Sequence, residues 1–340
     1  MEFKNFTAGT DDDGRRFDKI IRRFLPELPL SQIYKMMRKG LIKLNQKKAS
    51  PETKINSGDE ISVAEFLLEK TQTPEMNAQV FSKETQSKKQ KNKDSKIQNQ
   101  SHIVQIESNL KKSIIFQNEH LLILNKPYDI NVHGKNSLAQ IVEEYYRQNS
   151  NKTSLAFTPG PLHRLDRKTT GILVFSWSIK GAQWFSENIK THAIKKTYMA
   201  ILQGTLTEPQ NWSDEILKDG TTKNGFTTVK VFSNSKSKNA ITIVTPLKTG
   251  FYKGSPVTLA QIKIETGRQH QIRAQSSAHG YPLLGDTAYG GTPLHYKNRD
   301  FFLHACKLEF PPDNPLNLPA IVECPQPAEF ESFLTECRFL

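Results

Sequence analysis

The chain is short of cysteine, of acidic residues to balance its basic ones, and of long apolar runs. Its three cysteines, Cys306, Cys324 and Cys337, all lie in the last quarter and form no Cys-x-x-Cys pair. That argues against a disulfide framework and leaves no zinc-ligand spacing. No stretch approaches the roughly 18 consecutive apolar residues of a membrane span. Met1 to Thr10 lacks the apolar core of a secretion signal, so a cytoplasmic location is expected. There is no His-Glu-x-x-His run, no His-x-His pair and no cluster of carboxylates. A metal-dependent nuclease would need several acidic ligands together, so no metal site is expected. Walker and dinucleotide fingerprints are missing too, as is any internal repeat. Apolar residues make up 36% of the chain. That is below the globular norm of about 45–50%, so part of the chain is expected to stay outside a packed core.

What the chain does have is positive charge. Lys and Arg number 47 against 34 Asp and Glu, a net +13. Such an excess implies a polyanionic partner, most often nucleic acid. No basic helix is backed by a large apolar face, so an anionic membrane is disfavoured.

The basic residues are dense between 15 and 63, twelve Lys or Arg against five acids. Phe17, Ile20, Ile21 and Phe24 fall on one helix face, and Pro26 and Pro29 end that helix. Ser31 is positioned to cap a second helix, Gln32 to Lys39, which stops at Gly40. Lys35, Arg38 and Lys39 share one face of it, Ile33 and Met37 another. A short strand around Ile42 and Leu44 carries Lys43, and a return strand begins after the Ser57-Gly58-Asp59 turn. Lys35, Arg38, Lys39 and Lys43 form a ledge suited to phosphates, which positions RNA without reading its bases. A solvated helix face is the plain alternative.

Residues 70 to 112 have few apolar side chains, least of all Ser82 to Lys93, and read as a flexible basic linker. From Ser113 the pattern turns globular. Ile114–Phe116, Leu121–Leu124, Ile172–Phe175, Tyr198–Leu202 and Leu259–Ile264 are strand candidates, and Leu138–Arg147 and Lys180–Lys190 are helical. Many short strands with a few helices imply an α+β domain with a mixed, largely antiparallel sheet. The expected organisation is a small α+β domain at 1–69, the linker at 70–112 and a second domain at 113–340.

Three runs could carry chemistry. In Pro161-Leu162-His163-Arg164-Leu165-Asp166-Arg167-Lys168, cationic or titratable groups crowd one carboxylate just before a strand. Nearby positive charges hold such an Asp ionised, ready to act as nucleophile or base. A structural ion pair is the competing reading. Thr266-Gly267-Arg268-Gln269-His270-Gln271-Ile272-Arg273 offers donors to phosphate or carboxylate, and His270 suits either a general base or a supporting hydrogen bond. In Lys195-Lys196-Thr197-Tyr198-Met199-Ala200 the tyrosine opens a strand, which by itself more often means a core residue.

Together these runs resemble the RluA family of RNA pseudouridine synthases. The likeness rests on His163-Arg164-Leu165-Asp166 followed by Thr170-Gly171, on Lys196-x-Tyr198-x-Ala200, and on Gly267-Arg268-x-His270-Gln271-Ile272-Arg273. Asn125-Lys126-Pro127, Gly280 to Asp286, Tyr289-Gly290 and Leu303-His304-Ala305 add to it. Arg16 to Val63 resembles the RNA-binding domain named after ribosomal protein S4. The resemblance implies catalytic roles for Asp166, Tyr198 and Arg273, with Arg273 as the salt-bridge partner of Asp166. It implies substrate contacts from Arg164, Arg167, Arg268 and His270. Ala274-Gln275 departs from the Val-His common among relatives. Uracil would leave C1′ through N1 and return through C5, so no cofactor is expected. Asp166 would act at C1′ or on the C2′ proton, and Tyr198 suits the base ring and the proton leaving C5. The S4-like domain and Arg167 point to large-subunit ribosomal RNA, alone or in a pre-ribosomal particle, with transfer RNA as the alternative substrate. The other readings are a non-catalytic RNA-binding or ribosome-assembly protein, and a nuclease or glycosidase. A monomer without membrane association is the default.

Overall fold

The structure is a computed structural model and describes residues 1–69, 109–149, 154–155, 157–221, 227–231 and 238–339. The chain forms two compact units: Met1–Ser108 with Val142–Pro159 and Ser178–Lys180, and Asn109–Ile141 with Gly160–Trp177 and Gly181–Leu340.

The first unit begins with β1 (Phe3–Thr7), then α1 (Phe17–Phe24), α2 (Leu30–Lys39), β2 (Ile42–Leu44), β3 (Glu60–Ala64) and α3 (Glu65–Glu69). Its sheet has the order β1-β3-β2, antiparallel throughout. Phe17, Ile20 and Ile21 of α1 meet Ile33 and Met37 of α2 over Ile42, Ile61 and Val63. The apolar stripe evident in the sequence is therefore the core face, with Phe24 only partly buried. The expected start of the second helix needs correcting. α2 begins at Leu30 with Pro29 as its N-cap, and no side chain caps it. The fixed φ of proline presets the turn, so Ser31 is not used. At the other end Gly40 has φ 73°, and its N–H reaches the carbonyls of Met36 and Met37. Asp18 ties the two helices. It accepts from Arg16 Nε and Nη2 at 3.1 and 2.7 Å and from the Tyr34 hydroxyl at 2.9 Å. The bond from Arg16 first, then that from Tyr34, holds its pKa below the usual carboxylate value despite burial.

The segment expected to be a linker lies almost wholly outside the described residues. Its last four residues, 109–112, are helical, and Leu110 is buried.

The second unit is built on one large sheet. Its strands are β4 (Ile114–Gln117), β5 (Leu121–Lys126), β6 (Thr170–Ser176), β7 (Lys195–Gln203), β8 (Gln210–Thr221), β9 (Thr227–Val231), β10 (Lys238–Tyr252), β11 (Ser255–Ile264), β12 (Leu303–Glu309), β13 (Ile321–Glu323) and β14 (Arg338–Phe339). Their order is β4-β5-β6-β12-β7-β11-β10-β8-β9, with β13 on β12 and β14 on β10. The one parallel pair among these strands is β6 with β12. The helices are α4 (Leu138–Asn149), whose last turns belong to the first unit, α5 (Ile179–Lys190), α6 (Gln271–Ala278) and α7 (Ala328–Glu336). The α+β class with a largely antiparallel sheet is as expected.

The parallel pair imposes a tight steric constraint. Gly171 lies opposite Ala305 in the register, and a Cβ at position 171 would sit 2.2 Å from the Ala305 carbonyl oxygen. Its φ of +104° is also one that L side chains avoid. Beside it, the Thr170 hydroxyl lies 2.9 Å from His304 Nδ1, and His304 Nε2 lies 3.2 Å from the Cys324 carbonyl. A carbonyl can only accept, so Nε2 carries the proton and Nδ1 accepts from Thr170. Burial lowers the His304 pKa, which keeps this latch neutral. Gly171→Ala is expected to lose roughly 2–4 kcal/mol of stability through strain and steric overlap. Chemical denaturation checks this, and an unchanged midpoint would mean the strands have room to part.

Candidate active site

Asp166 sits in the loop that leads into β6. A buried lysine fixes the loop from below. Lys126, at the end of β5, has no exposed surface, and its Nζ donates to the carbonyls of Pro127, Arg167 and Thr169 at 3.0, 2.8 and 2.8 Å. Three donors meet three acceptors, which is the full capacity of an ammonium. Burial pushes this lysine down to about 7, while the charges of Asp166 and Asp129 pull it back up. His163 is part of the same scaffold. The Val174 N–H donates to its Nε2 at 3.1 Å, its ring stacks on Phe185, and burial pushes it down to about 3. It is a neutral structural residue, not an acid or base.

Arg273 projects from the first turn of α6 and bridges two carboxylates. Its Nε and Nη2 form a fork onto Asp286 Oδ2 and Oδ1 at 2.6 and 2.8 Å. Its Nη1 is left for Asp166 Oδ2 at 3.3 Å. The guanidinium carbon lies 4.8 Å from the Tyr289 ring centroid and 4.9 Å from that of Phe301, so two aromatic faces clamp the cation. Burial disfavours its charge, but the hydrogen bond and charge of Asp286, then the charge of Asp166, outweigh that and raise its pKa. Only 6% of the Arg273 side chain and 1% of the Asp286 side chain are exposed, against 17% for Asp166. Asp286 therefore holds Arg273, and Arg273 presents one N–H to the accessible carboxylate. Asp286 closes the Gly280 to Asp286 run, and nothing in the residue order gives it this role.

His270 takes a left-handed backbone, φ 52° and ψ 22°, at the N-cap of α6. Such a conformation costs about 1–3 kcal/mol outside glycine and collects at working sites. It brings Nε2 to 3.6 Å from Asp166 Oδ1 and Nδ1 to 2.9 Å from the Tyr289 hydroxyl. Tyr198, on β7 between Ile262 and Ala305 of the flanking strands, is 6% exposed. Burial, then the negative charge of Asp166, raises its pKa.

These groups line one small pocket of about 60 Å³. Asp166, Tyr198, Arg273, Arg164, Arg268 and His270 face it with Leu165, Thr169, Ile264 and Leu303. Six of the seven catalytic and substrate-contact candidates thus converge from three separate stretches of chain. Arg164 is exposed and makes no hydrogen bond or ion pair among the described residues. Arg268 donates through Nε to the Asn239 carbonyl at 3.0 Å. Arg167 is the exception. It does not line the pocket, and its guanidinium pairs with Asp129 at 3.0 Å. Gln275, half of the unusual Ala274-Gln275 pair, also lies off the pocket. It is fully buried, accepts from the Thr242 hydroxyl at 2.6 Å and donates to Asp214 at 2.7 Å, so it anchors α6 to the sheet. Among the described residues no group of His, Cys, Asp or Glu could hold a metal ion, and no helix is long and apolar enough to cross a membrane.

Comparison with known proteins matches this arrangement to a family. A family model described as RNA pseudouridylate synthase matches residues 120–278, and one for the S4 domain matches residues 15–61. Ribosomal large subunit pseudouridine synthase C of Vibrio vulnificus is 30% identical over 312 residues, covering 88% of this chain and 86% of that protein. The chain belongs to the RNA pseudouridylate synthase family. The protein of the same name from Vibrio cholerae is 28% identical and spans 96% of this chain and 95% of its own length. Among solved structures, human RNA pseudouridylate synthase domain containing 4 shares the fold. Its TM-score is 0.57 at 22% identity, over 70% of this chain and 98% of that one. Human RNA pseudouridylate synthase domain containing 1 gives 0.53 at 25% identity, over 67% and 88%. Pseudouridylate synthases are isomerases that act on RNA, and this one carries the S4 domain ahead of the synthase unit.

In the S4 unit, Lys35, Arg38 and Lys39 are exposed on α2, while Lys43 lies half-buried with its Nζ 4.5 Å from the Phe3 ring. Sequence reasoning missed a second basic face. Arg15, Arg16, Lys19, Arg22, Arg23 and Pro26 line an open groove along α1. Their i, i+3, i+4, i+7 spacing was visible, but the apolar stripe of the same helix is the stronger signal.

Proposed function

We propose that this synthase isomerises uridines of large-subunit ribosomal RNA, with Asp166 as the group that opens the glycosidic bond. The observation that carries the assignment is an accessible carboxylate held by one N–H of a caged arginine, in a pocket shared with Tyr198. Either route, attack at C1′ or removal of the C2′ proton, needs a carboxylate held in a fixed place, and the Arg273 N–H supplies that hold. Most of the charge of Arg273 is already matched by Asp286, so Asp166 is aimed without being fully neutralised. Burial keeps Tyr198 a phenol. That suits a wall against the uracil ring better than a base for the C5 proton. The target uridine must leave its stack to enter so small a pocket, and the exposed Arg164 at its wall is placed to support the RNA around it.

A glycosidase would want a second free carboxylate opposite the first. Asp166 is the one acid among the residues that line the pocket, and both oxygens of Asp286 behind it are taken by Arg273. Ribosomal RNA is favoured over transfer RNA because the relatives named for the large ribosomal subunit match along nearly the whole chain, S4 domain included. A cytoplasmic location goes with such a substrate.

Asp166→Asn is expected to abolish release of tritium from 5-tritiated uridine in large-subunit ribosomal RNA while leaving RNA affinity near that of the wild type. Retained turnover would remove Asp166 from the mechanism. The S4 unit is tested by the salt dependence of RNA binding. Each phosphate that the protein neutralises adds about 0.7–0.9 to the steepness of the log–log slope. Replacing Lys35, Arg38 and Lys39 by Ala, or separately Lys19, Arg22 and Arg23, should flatten that slope. An unchanged slope in both variants would mean that neither helix touches the RNA backbone.

A further inference from the structure

Tyr289 lies against both groups that face Asp166. Its ring packs on Arg273, with the guanidinium carbon 4.8 Å from the ring centroid. Its hydroxyl is 2.9 Å from His270 Nδ1, and the two rings meet edge to face at 5.9 Å. The same hydroxyl accepts a bond from the Val229 N–H at 3.0 Å. With that lone pair engaged, its own proton is free to point at His270 Nδ1.

A neutral imidazole has one donor nitrogen and one acceptor nitrogen. If Nδ1 accepts from Tyr289, Nε2 carries the hydrogen. Nε2 is the atom that faces Asp166 Oδ1, at 3.6 Å. The other tautomer would set a nitrogen lone pair against a carboxylate, which is repulsive. A doubly protonated ring is disfavoured by burial, which lowers the His270 pKa against the pull of Asp166 and Asp286, with Arg273 and Arg164 pushing the same way as burial. The 3.6 Å gap is longer than a formed hydrogen bond, and such contacts commonly tighten when substrate enters.

We infer that Tyr289 is a positioning residue for the isomerisation, its hydroxyl fixing His270 as the Nε2–H tautomer so that this N–H and the Arg273 N–H hold the two oxygens of Asp166 in one plane. His270 thereby gains a defined role as the second donor to the reacting carboxylate. Neither residue takes up or releases a proton in this scheme. One side chain serves both donors, through its face for Arg273 and its hydroxyl for His270. The inference rests on Asp166 being the reacting carboxylate.

Tyr289→Phe separates the two functions, since the ring that packs on Arg273 remains. Its single-turnover tritium release from 5-tritiated large-subunit ribosomal RNA should fall by about 10- to 100-fold, the usual cost of a small misplacement, with RNA affinity unchanged. His270→Gln, whose amide N–H reaches the Nε2 position, should retain more activity than His270→Leu. Long-range proton–nitrogen correlation on histidine-labelled wild-type protein should show His270 protonated at Nε2 alone, with Nδ1–H appearing in Tyr289→Phe. A wild-type rate in Tyr289→Phe, or Nδ1–H in the wild type, overturns the inference. Asp166→Asn in the same assay reads the parent assignment separately. Tritium release by that variant would sink the role of Asp166 while the tautomer measurement still stands on its own.

Discussion

The proposed active site depends on a single guanidinium that answers to two carboxylates unequally. Arg273 gives its fork to the buried Asp286, at 2.6 and 2.8 Å, and a single N–H to Asp166, at 3.3 Å. An unpaired arginine in this position would bear a large desolvation cost. Asp286 and the faces of Tyr289 and Phe301 remove that cost before any RNA arrives. Asp166 is then held by a cation that is already paired and fixed in place.

The scaffold beneath the pair is equally specific. Asp166 lies on a loop, and loops alone position atoms poorly. Here Lys126 ties three of the neighbouring carbonyls, His163 and His304 act as neutral struts, and Gly171 lets β6 run against β12 without a side chain between them. Arg273 enters from α6, and Gln275, two residues further along, locks that helix to the sheet. The loop of Asp166 and the helix of Arg273 are therefore both tied down, the one by Lys126 and the other by Gln275.

Much of this was legible before the fold was known, and the gaps have physical causes. β4 shows a short apolar run and is only partly buried. Strands β5, β6, β7 and β11 announce themselves as compact apolar runs, because residues on both their faces are buried. β8 and β10 do not. β10 contains Pro246 and Gly250 and carries a bulge between Pro246 and Lys248, features that argue against a strand when read alone. β1 has only Phe3 and Phe6 to bury, too few for a periodic signal, and owes its existence to backbone pairing with β3. At the site, residue type and order left Asp166 and Tyr198 open to structural readings; the family resemblance singled out Asp166, Tyr198 and Arg273, and the fold brings all three to one pocket. Asp286 and Tyr289 stayed hidden because their importance lies in what they hold, which only the folded chain displays. The resemblance implied a substrate contact for Arg167, yet the turn after Asp166 carries its side chain to Asp129.

The central claim is that a forked, caged arginine aims Asp166. It is tested most directly by the single-turnover rate of Arg273→Lys. Lysine keeps the positive charge but cannot serve Asp286 and Asp166 together with fixed geometry. A fall of about 100-fold or more in pseudouridine formation, with RNA affinity and folding intact, is the predicted result. A rate near that of the wild type would show that charge alone suffices and would contradict the account.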